Sequence, residues 1–295
     1  MPTQTESIVL VSEIFLSLYP ILLKNVDVSL ITQVLFRMGT YTTLGSLGAK
    51  DSDWEQTWGS FDAIKTTALS GLMTLVHVGS SYASYKYLSA GSALALFYTY
   101  PFMNILIGVL FLGEEVVWKI IPLMIVAFIG VLLIAYSEND QQREKENFQG
   151  DIINNNTLLG ITLALVAALT ETIIYLIVKT SVRKNPFVNI IQLYSVGFLA
   201  LAGYAGFNGF KDVRLNMTQL AQIVGFNTFI GFIGYSLRFY TIPRLSTLIF
   251  SLLTFVGVAS GYFWGLIFAE EKPAWLSILG ALCITGSVGV FEMIK

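Results

Sequence analysis

The stretch Tyr87–Glu115, YLSAGSALALFYTYPFMNILIGVLFLGEE, decides the reading of the whole chain. No charged side chain lies between Lys86 and Glu114. Its apolar run, 89–112, exceeds the ~20 residues a helix needs to cross the hydrocarbon of a bilayer. Gly, Ser, Thr and Tyr are interleaved with the aliphatics, as in helices packed on one another, where small residues permit close approach. Pro101 removes one backbone donor, so the helix is expected to bend there and present a carbonyl to a cavity. The run is too long and continuous for a strand of an outer-membrane barrel.

Nine more apolar segments flank it, at 7–23, 29–48, 62–83, 119–137, 157–179, 187–208, 219–240, 245–268 and 274–292. Composition agrees with this count. Of 295 residues 55% are hydrophobic and 12% charged, whereas a soluble domain carries roughly a quarter of its residues as Asp, Glu, Lys and Arg. So little charge cannot cover a water-soluble globule, which argues against a soluble enzyme. The net charge of −2 gives no basic field for nucleic acid. The lone Cys283 excludes an intrachain disulfide and a Cys-rich metal site. Met1–Ser7 holds no Lys or Arg, so the first segment is expected to stay as a helix. The expected fold is an all-α polytopic membrane protein with ten transmembrane helices.

One hydrophilic stretch, 138–156, divides these segments five and five; it carries Glu138, Asp140, Arg143, Glu144, Lys145, Glu146 and Asp151 and reads as a solvated linker. The expected units are therefore 1–137 and 157–295. With an odd number of spans in each, related halves must enter the membrane from opposite sides, which makes an inverted repeat. Corresponding residues recur in order. Lys24 and Lys179 follow the first helix of each half, with Arg37 and Gln192 thirteen residues later. Tyr82 and Tyr87 answer to Tyr235 and Tyr240, and Gly113-Glu114-Glu115 to Ala269-Glu270-Glu271. Trp118 and Trp275 follow, then Gly130 and Gly286.

Lys24 ahead of a helix bearing Arg37, the run Tyr87–Leu96, Pro101, Gly113-Glu114 and a Gly-containing fifth helix together resemble an EamA-type repeat of the drug/metabolite transporter superfamily. The resemblance covers nearly the whole chain as two tandem repeats. The second departs from the pattern, with Gln192 for the arginine, Gly257 at the proline position and Ala269 before the glutamates. The resemblance implies a ten-helix carrier working by alternating access, with helices one, three, four, six, eight and nine around a central cavity. It also implies a small-molecule substrate, moved without ATP, and termini on the cytoplasmic side. The Lys/Arg distribution leans the same way, nine cytoplasmic against seven outside.

Ionisable groups deep in a span are costly and so mark candidates. Glu13 and Glu171 lie in the first helix of each half, eleven residues before Lys24 and eight before Lys179, one helical turn apart in depth. Either can bind an amine or cation, or exchange a coupling proton. His77, the single histidine, suits a proton relay near neutral pH. The plainer alternative is that these groups pair among themselves and fix helix packing. Arg37 reads as a structural charge in a peripheral helix, snorkelling or paired with a carboxylate.

Tyr98 and Tyr100 near the Pro101 bend, with Tyr175 and Tyr235, can enclose an organic substrate, and Asn104 and Asn227 are the polar candidates beside them. Lys86, Arg238 and Arg244 would contact an anion if they faced the cavity; as helix-end residues they read first as interface anchors. Glu114-Glu115 and Glu270-Glu271 read as structural carboxylates at exposed helix starts. Gly257, Gly261 and Gly265, four apart, make a smooth face for helix contact.

No Walker, Gly-x-Ser-x-Gly or His-Glu-x-x-His sequence occurs, and no cofactor or metal site is expected. The expected function is a secondary-active carrier of small polar metabolites, amino acids first, with a coupling proton or counter-substrate. A nucleotide-sugar or sugar-phosphate antiporter is the alternative. The expected partners are the lipid bilayer and the substrate, in a monomer or homodimer.

Overall fold

Backbone N–H and C=O groups in hydrocarbon must be satisfied within the chain, so long apolar runs fold as helices. A computed structural model describes residues 2–88, 90–146, 155–181, 185–268 and 274–295, and no strand occurs among them. Ser89, linker residues 147–154 and Ala269, Glu270 and Glu271 lie outside the described residues, as do the side chains of Lys24 and of 138–146.

The helices in chain order are α1 (Gln4–Leu16), α2 (Tyr19–Asn25), α3 (Leu30–Gly48), α4 (Asp51–Trp58), α5 (Phe61–Tyr87), α6 (Ala90–Phe97), α7 (Tyr100–Leu112) and α8 (Ile121–Glu146). There follow α9 (Asn155–Thr180), α10 (Pro186–Phe207), α11 (Met217–Phe226), α12 (Ile233–Thr241), α13 (Thr247–Thr254), α14 (Val256–Phe268) and α15 (Trp275–Ile294). Among the described residues seven spans are long and apolar enough to cross a membrane: Gln4–Leu22, Ser92–Leu112, Asn156–Thr180, Pro186–Phe207, Met217–Arg244, Thr247–Phe268 and Trp275–Ile294. Ile121–Ser137 is apolar but shorter. The other two of the ten apolar segments, α3 and α5, are diluted by Thr, Ser and Gly and carry Arg37, Lys65 and His77. That polarity is spent inward: Thr32, Gln33, Arg37, Thr67, Ser70, Thr74 and His77 are all buried.

The interior combines an apolar core with many buried polar side chains, and the outside is apolar. Leu110, Phe111, Ile125, Phe207 and Leu282 are exposed, as suits side chains facing lipid. The long helices pack in pairs: α1 on α12, α3 on α10, α5 on α9, α7 on α13 and α8 on α15. The α8–α15 contact is backbone against backbone, because a Cβ on Gly130 or Gly280 would meet the other's carbonyl oxygen.

Among the described residues, four helix lines that contribute to the cavity wall are interrupted. The α1–α2 line breaks before Tyr19-Pro20, and α6–α7 breaks before Tyr100-Pro101. The α13–α14 line breaks at Phe255, and a π-helical turn, Asn227–Phe232, joins α11 to α12. Prolines explain the first two, since each lacks the N–H that would continue the ladder. Such single π-turns inside α-helices concentrate at functional sites. The short α4 is an addition no apolar segment announced; Asp53 anchors it by accepting a 3.0 Å bond from Asn185 Nδ2 at the start of α10.

Candidate functional site

The interrupted helices surround a cavity of about 150 Å³. Glu13 reaches it from α1, Arg37 from α3, His77 from α5, Glu171 from α9 and Arg238 from α12. Tyr98, Tyr100 and Tyr235, three of the four tyrosines expected there, line it as well.

Arg238 is the centre of one half of this cavity. Its Nη1 donates to Glu13 Oε1. Its Nη2 donates to Glu171 Oε1 at 2.7 Å and to the Tyr100 hydroxyl at 3.1 Å. All four side chains are buried. One guanidinium thus ties α12 to α1, α7 and α9, and Arg238 is a cavity residue rather than the interface anchor its place near a segment end suggested. Removing one partner from such a cluster costs about 3–5 kcal/mol, because the remaining charge stays buried and uncompensated.

His77 extends the cluster. Its Nδ1 lies 3.0 Å from the Ala167 carbonyl oxygen and its Nε2 3.4 Å from Glu171 Oε2. A carbonyl oxygen only accepts, so Nδ1 carries the hydrogen. Thr170, whose hydroxyl is 3.5 Å from the same nitrogen, donates instead to the Val166 carbonyl at 2.7 Å. The Nε2 atom therefore faces the carboxylate either with a lone pair, which repels it, or with a proton. The contact has room for one proton, on His77 or on Glu171.

Arg37 forms the other half. It is buried, not snorkelling, and it lines the cavity from α3. Its guanidinium carbon sits 4.5 Å from the Tyr19 ring centre, 4.9 Å from Tyr235, 5.6 Å from Tyr82 and 5.7 Å from Tyr41. The reading of this residue as a peripheral structural charge is corrected accordingly. Asn227 supports this half without lining it: Tyr19 donates to Asn227 Oδ1 at 2.9 Å, and Asn227 Nδ2 donates to the Ile223 carbonyl at 2.9 Å. Tyr41 and Tyr19 share a short hydroxyl–hydroxyl bond. Because the Tyr19 proton goes to Asn227, the Tyr41 hydroxyl is the donor between the two rings. Gly231 of the π-turn leaves space for both hydroxyls, since a Cβ there would collide with them.

The remaining candidates lie elsewhere. Tyr175 is buried and donates to Thr247 Oγ1 at 2.9 Å, outside the cavity. Asn104 is buried one turn beyond Tyr100 with no hydrogen-bond partner at either amide atom. Lys86 is exposed at the end of α5, and Arg244 folds back on its own turn, 3.7 Å over the Tyr240 ring. Neither lines the cavity.

Glu114 does more than end a helix. Its Oε1 lies 3.1 Å from Lys179 Nζ, and its Oε2 accepts from the Thr247 backbone N–H at 2.7 Å. Lys179 also donates to the Leu245 carbonyl. These contacts tie the ends of α7 and α9 to the start of α13, outside the cavity lining. Gly257, Gly261 and Gly265 line the cavity wall, and their helix, α14, also packs against α1. A Cβ on Gly257 would strike the Tyr98 hydroxyl.

Sequence signals for Arg37 and Arg238 existed but were outweighed. Arg238 follows Tyr235 by one helical turn, which places both on one face. Among the described residues no group of three or more His, Cys, Asp or Glu is placed to hold a metal ion.

Residues 5–136 match the model of the EamA-like transporter family. No curated protein matches the sequence. The crystal structure of another protein superposes over 100% of both chains, with a TM-score of 0.74 and 12% identity. At that identity the likeness establishes a shared fold alone. Over residues 5–136 this multi-pass helical membrane chain is thus similar to the EamA-like transporter family.

Proposed function

We propose that the protein is a secondary-active carrier that moves small polar metabolites, amino acids foremost, by alternating access and couples them to a proton or a counter-substrate. The observation that carries this reading is the buried cluster of Glu13, Arg238, Glu171 and His77 inside a cavity between interrupted helices. Buried charge in a membrane is retained where it binds or moves an ion or substrate. The proton position between His77 Nε2 and Glu171 Oε2 supplies the coupling element. A proton gained there shifts the hold of Glu171 on Arg238 and so couples α5 and α9 to α12. When Glu13 and Glu171 are both ionised they outnumber Arg238 by one negative charge, which favours an ammonium group in the cavity.

The same reading takes the chain as ten helices in two inverted repeats, 1–137 and 157–295, joined by 138–156, with both termini cytoplasmic. The helix pairing supports it. With α1–α2 as the first segment and α15 as the tenth, each of the five long-helix pairs named above maps onto one of the five when the halves are exchanged. Sites formed by interrupted helices at such a repeat interface are how secondary transporters hold substrate at mid-membrane.

The sugar-phosphate alternative rested on Lys86, Arg238 and Arg244; two of these lie off the cavity and the third is held by two carboxylates. Counterflow in proteoliposomes separates the classes. Saturable exchange of an amino acid supports the proposal, exchange of a sugar nucleotide supports the alternative, and unitary currents would sink both.

A further inference from the structure

The two cavity arginines are compensated differently. Arg238 has two carboxylates; Arg37 has no carboxylate within ion-pair distance among the described residues. Arg37 Nη1 donates to the Tyr82 hydroxyl at 3.0 Å, while Nε and Nη2 are buried with no hydrogen-bond partner. The side chain is 4% exposed and lines the cavity. Guanidinium stays protonated under all conditions met by a protein, so the charge cannot be relieved by deprotonation. The tyrosine faces around it attract the cation, but ring quadrupoles carry no formal charge and leave two donors unused.

We infer that the Arg37 end of the cavity, walled by Tyr19, Tyr82 and Tyr235, is a subsite for a single carboxylate of the transported molecule. The inference rests on the carrier reading and names the anionic half of its substrate. Carboxylate fits better than phosphate on three grounds. One guanidinium with two free donors on one side matches the two oxygens of a carboxylate. A phosphate dianion wants further cations, and Arg238 is already held by Glu13 and Glu171. Those two carboxylates share the cavity and repel a second negative charge, while they attract an ammonium. A zwitterion with its carboxylate at Arg37 and its amine toward the acidic cluster satisfies both halves. The Tyr41–Tyr19–Asn227–Ile223 hydrogen-bond chain is the positioning element, because it fixes the ring that lies closest to the guanidinium.

Melting of the purified full chain in nanodiscs tests this with matched probes: L-leucine, 4-methylpentanoate (no amine), isopentylamine (no carboxylate) and inorganic phosphate, each at about 10 mM, where a ligand of mM affinity or better stabilises measurably. Leucine and 4-methylpentanoate should raise the wild-type melting temperature. R37Q should lose both shifts and keep its response to isopentylamine. R37K, which keeps the charge but loses the planar fork, should bind the two carboxylates about tenfold more weakly; it serves as the test should R37Q not fold. Absence of a carboxylate shift in the wild type, equal shifts in R37Q or R37K, or a larger shift with phosphate would each overturn the subsite. Amine flux without any carboxylate response would remove the subsite and leave the carrier. Arg37-dependent carboxylate binding without flux of any probe would do the reverse.

Discussion

Arg238 and Arg37 line one cavity, nine helices apart in sequence order yet both buried, and they have opposite surroundings. Arg238 is bonded to Glu13, Glu171 and Tyr100. Arg37 has the Tyr82 hydroxyl, that of Tyr194 beside it, and a ring of tyrosine faces, with no carboxylate among the described residues. A buried cation whose compensation comes from the chain itself is a structural and coupling element. One whose compensation is incomplete is a place for a ligand. The cavity is thus divided into an end that holds the helices together and an end that waits for charge from outside, and the two should respond differently to substitution.

The largest effect is expected at Arg238. R238M leaves Glu13 and Glu171 buried without a cation, at a cost of about 3–5 kcal/mol, which calorimetry or a thermal melt in nanodiscs should record as a large destabilisation. R37M should destabilise far less, since no carboxylate depends on it. Equal destabilisation by the two variants would erase the distinction.

Next come Glu171 and His77. E171Q removes the anion that faces His77 Nε2 and half of the Arg238 compensation. Uptake should fall by about tenfold or more, as for loss of a group active in general acid–base work, and the remaining uptake should no longer change between pH 5 and 8. H77N should likewise flatten the pH profile while preserving more of the rate. Retention of the wild-type pH profile in both variants would demote the contact to packing.

G257A is smaller. Its Cβ would collide with the Tyr98 hydroxyl, and overpacking of this kind costs about 1–3 kcal/mol. Transport should weaken through cavity shape, at unchanged pH dependence. Breaking the Glu114 tie is subtler still. E114Q weakens the contact with Lys179 and the bond to Thr247 N–H. Ser251, buried in α13 one turn after Thr247, provides a reporter: S251C in a C283A background should react several-fold faster with a membrane-impermeant maleimide when Glu114 is Gln. The smallest shift is expected from Y19F, which removes one hydroxyl from the chain supporting Arg37 and costs about 1 kcal/mol; carboxylate binding should weaken only a few-fold.

Helices and polar interior were legible because hydrocarbon permits few backbone solutions, and an ionisable residue in an apolar run stands out. Glu13, His77 and Glu171 were found that way, with Tyr98, Tyr100 and Tyr235 following from the Pro101 bend. Facing was not legible. In a soluble helix the polar stripe marks the outside, but here both lipid and protein neighbours are apolar, so Asn104 and Tyr175 could not be told from cavity residues. Depth failed at Arg238 because segment 219–240 appeared to end two residues after it. The span instead continues through a short 3₁₀ turn to Arg244 and contains a π-turn, which carries Arg238 inward. Arg37 sits in a helix that reads as peripheral in the sequence, yet one face of α3 reaches the cavity.

The central claim is that the acidic cluster couples proton and substrate within one cavity. It is tested most directly by amino-acid uptake into proteoliposomes under an imposed pH gradient, wild type beside E171Q. The account predicts saturable, gradient-driven uptake by the wild type and uptake by E171Q that ignores the gradient. Gradient-driven uptake of equal rate in both would contradict it.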